Sequence, residues 1–245
     1  MKEEKLQVPV REPNGFVRTL NGMGYMTSSL DPVSQAFVNG AKSSGLCLDI
    51  GAAYGVATLA ALAKGATVMA NDLDPRHLEI LKSTVPASDL SRLQLQPGAF
   101  PHELNIEPGT LGSVLICRVL HFFPGPEIEM ALKKVFTWLR PGGKVFLVAE
   151  TPYLKNFQAF IPEYESRRRR GEPWPGFVAD VMKIAPERGA SLPPTIHFLD
   201  PEVLSRVLRA QGFEIEVAKT LARKDFPEDL QLDGRESVGV IARKP

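Results

Sequence analysis

The amino-acid sequence predicts an α/β fold in which helices cover both faces of a mostly parallel sheet. Between residues 46 and 150, short apolar runs typical of buried strands alternate with longer runs of helical composition. Such alternation favours right-handed crossovers, which make the strands parallel and place helices on either face. With 245 residues, of which 44% are hydrophobic and 23% are charged, the chain is long enough for one domain with a full core. This composition excludes a disordered or collagen-like chain.

The predicted elements follow in chain order. A polar, glycine-containing lead-in over 1–45 ends in a helix at 32–42, with Ser29 or Asp31 available as the N-cap before Pro32. The core then begins. Strands are predicted at 46–50, 66–70, 93–96, 114–119 and 144–149, and helices at 56–63, 75–83 and 126–139.

The Pro-Gly-Gly sequence at 141–143 predicts a turn between the last of these helices and the strand that follows. After the core strands, residues 152–194 contain seven prolines and six aromatic residues, which is too aromatic for a linker. Connections this long within a compact domain are usually lids or binding elements. The alternation returns with a helix at 201–210, stopped by Gly212. Two further strands are predicted at 213–219 and 237–242.

We therefore predict a single domain over 1–245. Its parts are a lead-in or lid at 1–45, a core at 46–150 and 198–245, and an inserted cap at 151–197.

Cysteine, charge and hydropathy patterns exclude several classes of protein. Cys47 and Cys117 both lie in apolar runs that predict buried strands, and their spacing matches neither a disulfide framework nor a zinc site. We expect a reducing compartment, the cytoplasm, and no metal. The net charge of +1 gives no strong signal for nucleic acid. No apolar run approaches the roughly 20 residues that span a bilayer, so we expect no membrane partner.

One segment, residues 48–75, has the order strand, glycine turn, helix, strand and acidic residue. In an open parallel sheet, ligands bind beyond the carboxyl ends of the strands, so Asp49 and Asp72 are expected to line one site. Gly51 and Gly55 let the backbone turn tightly and approach a ligand, and Asp72 is placed to accept hydrogen bonds from ribose hydroxyls. A nicotinamide dinucleotide site needs G-x-G-x-x-G or A, whereas the second and third positions here are alanine and valine.

With these residues, the chain resembles the class I S-adenosylmethionine-dependent methyltransferases. The resemblance follows the chain through Asp-x-Gly-x-Ala-x-Gly at 49–55, Asn-Asp-Leu-Asp-Pro at 71–75, CRVLHFF at 117–123, LRPGGKVFLVAE at 139–150 and LDPEVLSRVLRAQGFEIE at 199–216. It implies a seven-stranded, mostly parallel Rossmann-like sheet with helices on both faces and an inserted cap between strands five and six. It also implies S-adenosyl-L-methionine as cofactor and S-adenosyl-L-homocysteine as product.

The resemblance assigns residues to the cofactor. It implies that Asp49 and the 51–55 turn hold the methionine part, that Asp72 holds the ribose and that Leu73 packs on adenine. Ala99 stands where the family often has an acid that reads the adenine amino group, so backbone groups or Phe100 are expected to contact adenine instead. The residues expected to bind the cofactor are Asp49, Gly51, Ala53, Tyr54, Gly55, Asp72, Leu73, Ala99, Phe100 and Arg118.

Methyl transfer from a sulfonium needs alignment and dehydration more than it needs a catalytic residue. His121 follows the fourth core strand, where this family commonly binds the acceptor, and is a candidate general base or a packing residue. Tyr25 and Tyr54 either contact the sulfonium cation or simply pack. Arg118 and Glu150 lie at the same rim, where a salt bridge explains them equally well. The residues expected to contact the acceptor are Tyr25, His121, Glu150, Tyr153 and Trp174.

Four consecutive arginines at 167–170 form the most prominent charge feature. If a helix begins at Pro162, Glu163 and Glu165 each pair with the arginine four residues later, which predicts a solvated helix face. The alternative is that these guanidiniums hold an acidic acceptor under a mobile lid. His197, before the helix at 201–210, is expected to be a loop residue.

We therefore expect a methyltransferase that transfers a methyl group by in-line displacement to a small-molecule acceptor. Acidic small molecules are among the expected acceptors. The aromatic residues of the predicted cap suit a mostly apolar pocket. One alternative is methylation of a protein or RNA, with the arginine run as its electrostatic footprint. The other is a Rossmann oxidoreductase that binds NAD, or a protein that binds the cofactor without turnover.

Overall fold

The computed structural model describes residues 8–186 and 192–245. The helices are α1 (Pro32–Ser44), α2 (Val56–Ala63), α3 (Pro75–Thr84), α4 (Gly125–Trp138), α5 (Ile161–Arg169), α6 (Val181–Ile184) and α7 (Pro201–Ala210). The strands are β1 (Val17–Arg18), β2 (Tyr25–Met26), β3 (Leu46–Ile50), β4 (Thr67–Asp72), β5 (Leu93–Pro97), β6 (Leu111–Cys117), β7 (Leu139–Glu150), β8 (Phe177–Val178), β9 (Ile196–His197), β10 (Glu214–Leu221) and β11 (Ser237–Arg243).

Seven strands form the central sheet, in the order β10-β11-β7-β6-β3-β4-β5. Strands β3 to β7 run parallel to one another, whereas β11 pairs antiparallel with both β7 and β10. Because β3, β4, β6 and β7 are parallel, they all end at one edge, which we call the carboxyl edge. This arrangement confirms the predicted seven-stranded, mostly parallel sheet.

Helices cover both faces of this sheet. On one face, α4 and α7 bury apolar side chains that include Leu132 and Leu204. On the other face, α1, α2 and α3 bury Phe37, Leu62 and Leu81. Each fully buried side chain of this kind contributes about 1.5–3 kcal/mol of hydrophobic stabilisation. The two layers hold the sheet rigid and therefore fix the carboxyl edge.

Local signals in the sequence set several element boundaries. Asp31 caps α1, since its side chain accepts hydrogen bonds from the backbone N–H groups of Val33 and Ser34, and Pro32 occupies the first turn. Of the two predicted N-cap residues, Ser29 and Asp31, the one observed is therefore Asp31. The predicted bounds of β3, α2 and α7 are also those observed.

The Pro-Gly-Gly sequence at 141–143 does not form the predicted turn ahead of a strand, because it lies inside β7. Leu139 pairs with Leu111 of β6, and the pairing resumes where Lys144 pairs with Ser113. The residues between these pairs form a bulge, in which Gly142 has a φ of +76° and donates its N–H to the Lys244 carbonyl. A bulge keeps both flanking segments in the ladder, so the strand begins five residues earlier than predicted.

Two small antiparallel pairs lie outside the central sheet. β1 pairs with β2, and we call residues 16–26 the N-terminal hairpin. β8 pairs with β9, within the segment that also contains α5 and α6. His197 is part of β9 and is buried, with its Nδ1 donating to the Phe123 carbonyl at 3.0 Å, so it is not the predicted loop residue. A third apolar cluster joins the hairpin to this segment and includes Phe16, Phe157 and Phe226.

Three further properties follow from the described residues. No helix in 8–186 or 192–245 is long and apolar enough to cross a membrane. Within the same ranges, no group of three or more His, Cys, Asp or Glu side chains is arranged to hold a metal ion. Cys47 and Cys117 are both free.

Candidate functional site

A cavity of about 400 Å³ lies at the carboxyl edge of the sheet. Its walls come from the ends of β3, β4, β6 and β7, the N-terminal hairpin, the start of α1, the 151–197 segment and the loop before β11. Ligands in open α/β sheets bind at this edge. The fold therefore places the glycine turn and the residues after β6 around one space.

The glycine turn after β3 is packed tightly against its neighbours. A Cβ atom on Gly51, whose φ is +68°, would lie 2.4 Å from Cγ2 of Val119, so only glycine fits there. Asp49 is buried, and its Oδ2 accepts a hydrogen bond from Thr58 Oγ1 at 2.7 Å. Burial raises the pKa of Asp49 to about 6, although the Thr58 hydroxyl opposes this effect.

Asp72, at the end of β4, connects the glycine turn to α3. Its Oδ2 accepts the Ala53 N–H at 2.8 Å, and its Oδ1 lies 2.9 Å from both the Asp74 N–H donor and His77 Nδ1. A carboxylate has about four acceptor positions, so these three contacts leave one for a ligand. Ala53 makes its contact with a left-handed φ of +46°. Ala53 thus adopts a left-handed backbone conformation that favours glycine.

These residues fit the cofactor that the sequence predicts. Asp72 lines the cavity and retains acceptor capacity for a ribose hydroxyl. Asp49 and Asp72 are carboxylates, which attract a ligand that carries sulfonium and ammonium groups. Leu73 is 51% exposed and lies with Ala99 and Phe100 in the cavity wall, where they offer an apolar surface for a purine.

A buried ion pair lies in the part of the cavity formed by the ends of β6 and β7. Arg118 Nε lies 2.5 Å from Glu150 Oε1, and Glu150 Oε2 accepts a hydrogen bond from Ser237 Oγ at 2.8 Å. Burial alone would raise the pKa of Glu150, but the nearby guanidiniums of Arg118 and Arg223 hold it below its usual value. Arg118 has a left-handed φ of +61°, a conformation that costs a non-glycine residue free energy and is found most often at functional sites.

Aromatic rings surround this ion pair. The guanidinium carbon of Arg118 lies 5.8 Å from the ring centre of Phe16 and 5.1 Å from that of Phe226, within cation–π range. Its Nη1 has no hydrogen-bond partner among the described residues. The cavity lining includes no lysine or other arginine from the described ranges. The part of the cavity around Arg118 is therefore aromatic, and the guanidinium of Arg118 is already paired with Glu150.

His121 lines the cavity near Arg118 and Glu150, in the short 3₁₀ helix Leu120–Phe122. It is 5% exposed, and burial lowers its pKa to about 4. Among the described residues, its Nδ1 has no hydrogen-bond partner. The imidazole is therefore neutral near pH 7 and presents one donor and one acceptor nitrogen.

The structure brings most of the predicted site residues together. Those that line the cavity are Tyr25, Asp49, Gly51, Ala53, Asp72, Leu73, Ala99, Phe100, Arg118, His121 and Glu150. Four predicted residues lie outside this lining. Tyr54 donates to the Arg18 carbonyl at 2.9 Å, and Gly55 faces Leu81 of α3. Tyr153 donates a hydrogen bond to Glu165, and Trp174 packs against His197.

The arginines at 167–170 also lie outside the cavity lining. Arg167 pairs with Glu163 at 2.8 Å, as the i, i+4 spacing predicted. Glu165 does not pair with Arg169 as expected, because it accepts the Tyr153 hydroxyl and lies 3.7 Å from Arg168. The run is thus a mostly solvated surface of α5 whose side chains pair with local glutamates.

Sequence reasoning missed several residues of the site. Phe16, Asp31, His77 and Phe226 all line the cavity, and three of them lie far from the glycine turn in sequence. Phe16 and Phe226 belong to irregular segments, so no periodic pattern places them. His77 carries a local signal, since it lies on the first turn of α3 five residues after Asp72.

Comparison with known proteins agrees with this geometry. Residues 47–143 match a family model described as a methyltransferase domain. No curated protein matches the chain in sequence. A SAM-dependent methyltransferase from Methanosarcina mazei is 18% identical, with a TM-score of 0.63 over 88% of this chain and 98% of that chain.

Two other solved structures share the fold. The glycopeptide N-methyltransferase MtfA, complexed with S-adenosyl-L-methionine, is 20% identical, with a TM-score of 0.59 over 89% of this chain and 88% of that chain. The Burkholderia thailandensis 1,6-didemethyltoxoflavin-N1-methyltransferase, with its acceptor and S-adenosylhomocysteine bound, is 18% identical, with a TM-score of 0.58 over 87% of this chain and 79% of that chain. Residues 47–143 thus match a methyltransferase domain, and the chain shares the fold of solved S-adenosylmethionine-dependent methyltransferases.

Proposed function

We propose that this chain is an S-adenosylmethionine-dependent methyltransferase that acts on a small, neutral molecule with an aromatic or otherwise planar body. The observation that carries the proposal is that the predicted cofactor residues and a group of aromatic rings line one cavity. Asp49 and Asp72, at the ends of β3 and β4, line the same cavity as the aromatic rings of Phe16, Phe157 and Phe226. Apolar pockets with a few polar groups are typical of small-molecule sites.

The charges in the cavity favour a neutral acceptor over an acidic one. An acidic acceptor needs a free cation, but Arg118 is already paired with Glu150. The arginines at 167–170 lie outside the lining of the cavity. Desolvating an anion without a partner is costly, so an acidic acceptor would bind weakly here.

The residues of this chain divide the work of the reaction. S-adenosyl-L-methionine supplies an activated methyl group on a sulfonium. Asp72 holds the ribose hydroxyls, Asp49 and the turn at Gly51 hold the methionine part, and Leu73 and Phe100 contact the purine. A ring nitrogen of His121 accepts a hydrogen bond from the acceptor O–H or N–H, orients that atom for in-line attack and takes up its proton as the methyl group arrives, with S-adenosyl-L-homocysteine as the leaving group. The aromatic walls exclude water.

Two observations favour a small molecule over a protein or RNA. The N-terminal hairpin and the 151–197 segment, which we propose acts as a cap, both contribute to the cavity walls. The fold neighbour from Burkholderia thailandensis is a 1,6-didemethyltoxoflavin-N1-methyltransferase. The MtfA neighbour is a glycopeptide N-methyltransferase, so larger acceptors also occur on this fold.

The proposal is tested by following tritium from S-adenosyl-L-[methyl-³H]methionine. The enzyme is incubated with a low-molecular-mass cell extract and, separately, with protein and RNA fractions of the same cells. We expect labelled product in the organic-soluble part of the small-molecule extract, and an initial rate of labelling lower by about tenfold or more with His121→Phe. Label confined to the protein or RNA fraction would contradict the proposal.

A further inference from the structure

His77 joins the N-terminal hairpin to the carboxylate that faces the cavity. It is 1% exposed, and its Nδ1 lies 2.9 Å from Asp72 Oδ1. On the other side of the ring, the backbone N–H of Leu20 donates to His77 Nε2 at 3.0 Å. Leu20 lies in the turn between β1 and β2. A single imidazole therefore connects two parts of the chain that are far apart in sequence.

The partners of His77 fix its tautomer. An ionised carboxylate only accepts hydrogen bonds, so Nδ1 carries the proton that points to Asp72. An N–H group only donates, so Nε2 is the unprotonated nitrogen that receives the Leu20 N–H. Both contacts are good in this one tautomer. The two hydrogen bonds therefore have one direction: Leu20 donates to His77, and His77 donates to Asp72.

Other contacts dock the hairpin without touching Asp72. Tyr54 Oη donates to the Arg18 carbonyl at 2.9 Å, and Arg76 Nη2 donates to the Leu20 carbonyl at 3.3 Å. Residues of the hairpin form part of the cavity wall, including Phe16, Asn21 and Tyr25. When the hairpin is docked, it thus covers the same cavity that Asp72 lines.

We propose that His77 is a positioning residue that couples docking of the N-terminal hairpin to occupancy of the site at Asp72. The inference rests on the proposed function, in which Asp72 holds the cofactor ribose. A ribose hydroxyl that binds Asp72 fixes the orientation of the carboxylate, and the carboxylate fixes the imidazole that receives Leu20. Cofactor binding then favours the docked hairpin, and by linkage the docked hairpin favours cofactor binding.

Trypsin measures hairpin docking directly, since Arg18 is an exposed residue of the hairpin. The experiment follows cleavage after Arg18 with and without saturating S-adenosylhomocysteine, and calorimetry measures the dissociation constant of the same ligand. In the natural protein, we expect the ligand to slow this cleavage by roughly fivefold or more, the lower range of typical coupling.

Three variants separate coupling from simple docking. Arg76→Gln removes a hydrogen bond to the hairpin that does not involve Asp72. Cleavage is then faster than in the natural protein, but the ligand slows it by the same factor in both. His77→Asn keeps a donor near the position of Nδ1 and cannot reach Leu20. His77→Gln keeps an acceptor near the position of Nε2 and loses Asp72. In both His77 variants the ligand still binds, but it no longer slows cleavage.

The outcomes separate this inference from the proposed function. Absence of S-adenosylhomocysteine binding to the natural protein overturns the proposed function. If S-adenosylhomocysteine binds the natural protein without slowing cleavage after Arg18, the coupling is overturned. It is also overturned if the ligand slows cleavage equally in the natural protein and in either folded His77 variant. Circular dichroism establishes that each variant is folded, and the two His77 variants break different contacts, so one folded variant suffices.

Discussion

The Nε atom of Arg118 lies 2.5 Å from Oε1 of Glu150, in an ion pair that joins the ends of β6 and β7 in the aromatic part of the cavity. Glu150 also accepts a hydrogen bond from Ser237 on β11. One carboxylate thus connects three strands at the carboxyl edge. Removing one partner of such a buried pair leaves the other charge without compensation, which is strongly destabilising.

Glu150→Gln is therefore expected to lower the free energy of unfolding by about 3 kcal/mol at neutral pH, measured by urea unfolding. Glu216→Gln is the matched control, because Glu216 pairs with Lys144 on the surface and its side chain is 34% exposed. That control should change stability by less than about 1 kcal/mol. Equal losses in the two variants would mean that the buried pair has no special role.

The high pKa of Asp49 predicts a pH dependence of both stability and cofactor affinity. Burial raises its pKa to about 6 in the folded protein, above the value of about 3.9 expected in the unfolded chain. The folded state therefore binds a proton at Asp49 more tightly than the unfolded chain does. The stability that protonated Asp49 contributes is lost as the pH rises through about 6. Ionised Asp49 attracts the cationic ligand, so affinity for S-adenosyl-L-methionine should rise over the same interval.

Calorimetry measures this pH effect, with affinity about tenfold weaker near pH 5 than near pH 7. In Asp49→Asn the pH step disappears, and the free protein becomes more stable than the natural one at neutral pH. A pH step of the same size in the variant would assign the titration to a different group.

The surface arginines provide a test of the acidic-acceptor alternative. Replacing Arg168, Arg169 and Arg170 by glutamine should leave KM for the acceptor unchanged and alter stability by no more than about 1 kcal/mol, since all three side chains are exposed. Steady-state kinetics and a thermal melt measure both quantities. A several-fold rise in KM would revive the hypothesis that the arginine run binds an acidic acceptor.

His121→Asn is expected to lower kcat by about tenfold or more and to leave affinity for S-adenosylhomocysteine unchanged. The natural enzyme should show no histidine titration in its rate between about pH 5 and 8, because burial lowers the pKa of His121 to about 4. A pH–rate profile measures this. An inflection near pH 6.5 that is lost in the variant would instead identify His121 as a solvated general base.

Much of the core could be predicted from the sequence because its signals are local. Asp31 and Pro32 define the start of α1, and the apolar runs of β3 and α2 have the periods of a buried strand and helix. Asp49, Gly51 and Asp72 could be placed at one site because parallel strands end at one edge. Motifs of this kind depend only on chain order.

The acceptor part of the site could not be predicted in this way. Phe16 and Phe226 meet Arg118 only because irregular segments from the two ends of the chain fold over β6. The predicted acceptor residues Tyr153 and Trp174 are aromatic residues of the proposed cap, but their rings pack within other parts of the structure. Nothing in the composition of this segment distinguishes a ring that faces the cavity from one that faces the core.

The most direct test of the account is the affinity of the natural protein, Asp72→Ala and Asp180→Ala for S-adenosylhomocysteine, measured by titration calorimetry. Asp180 is the matched control, since its side chain is 44% exposed and pairs with Lys183 on the surface. Loss of the charged acceptor for the ribose should weaken binding about 10- to 100-fold in Asp72→Ala and leave Asp180→Ala unchanged. Equal affinity in all three proteins would contradict the assignment of the cofactor to this edge of the sheet.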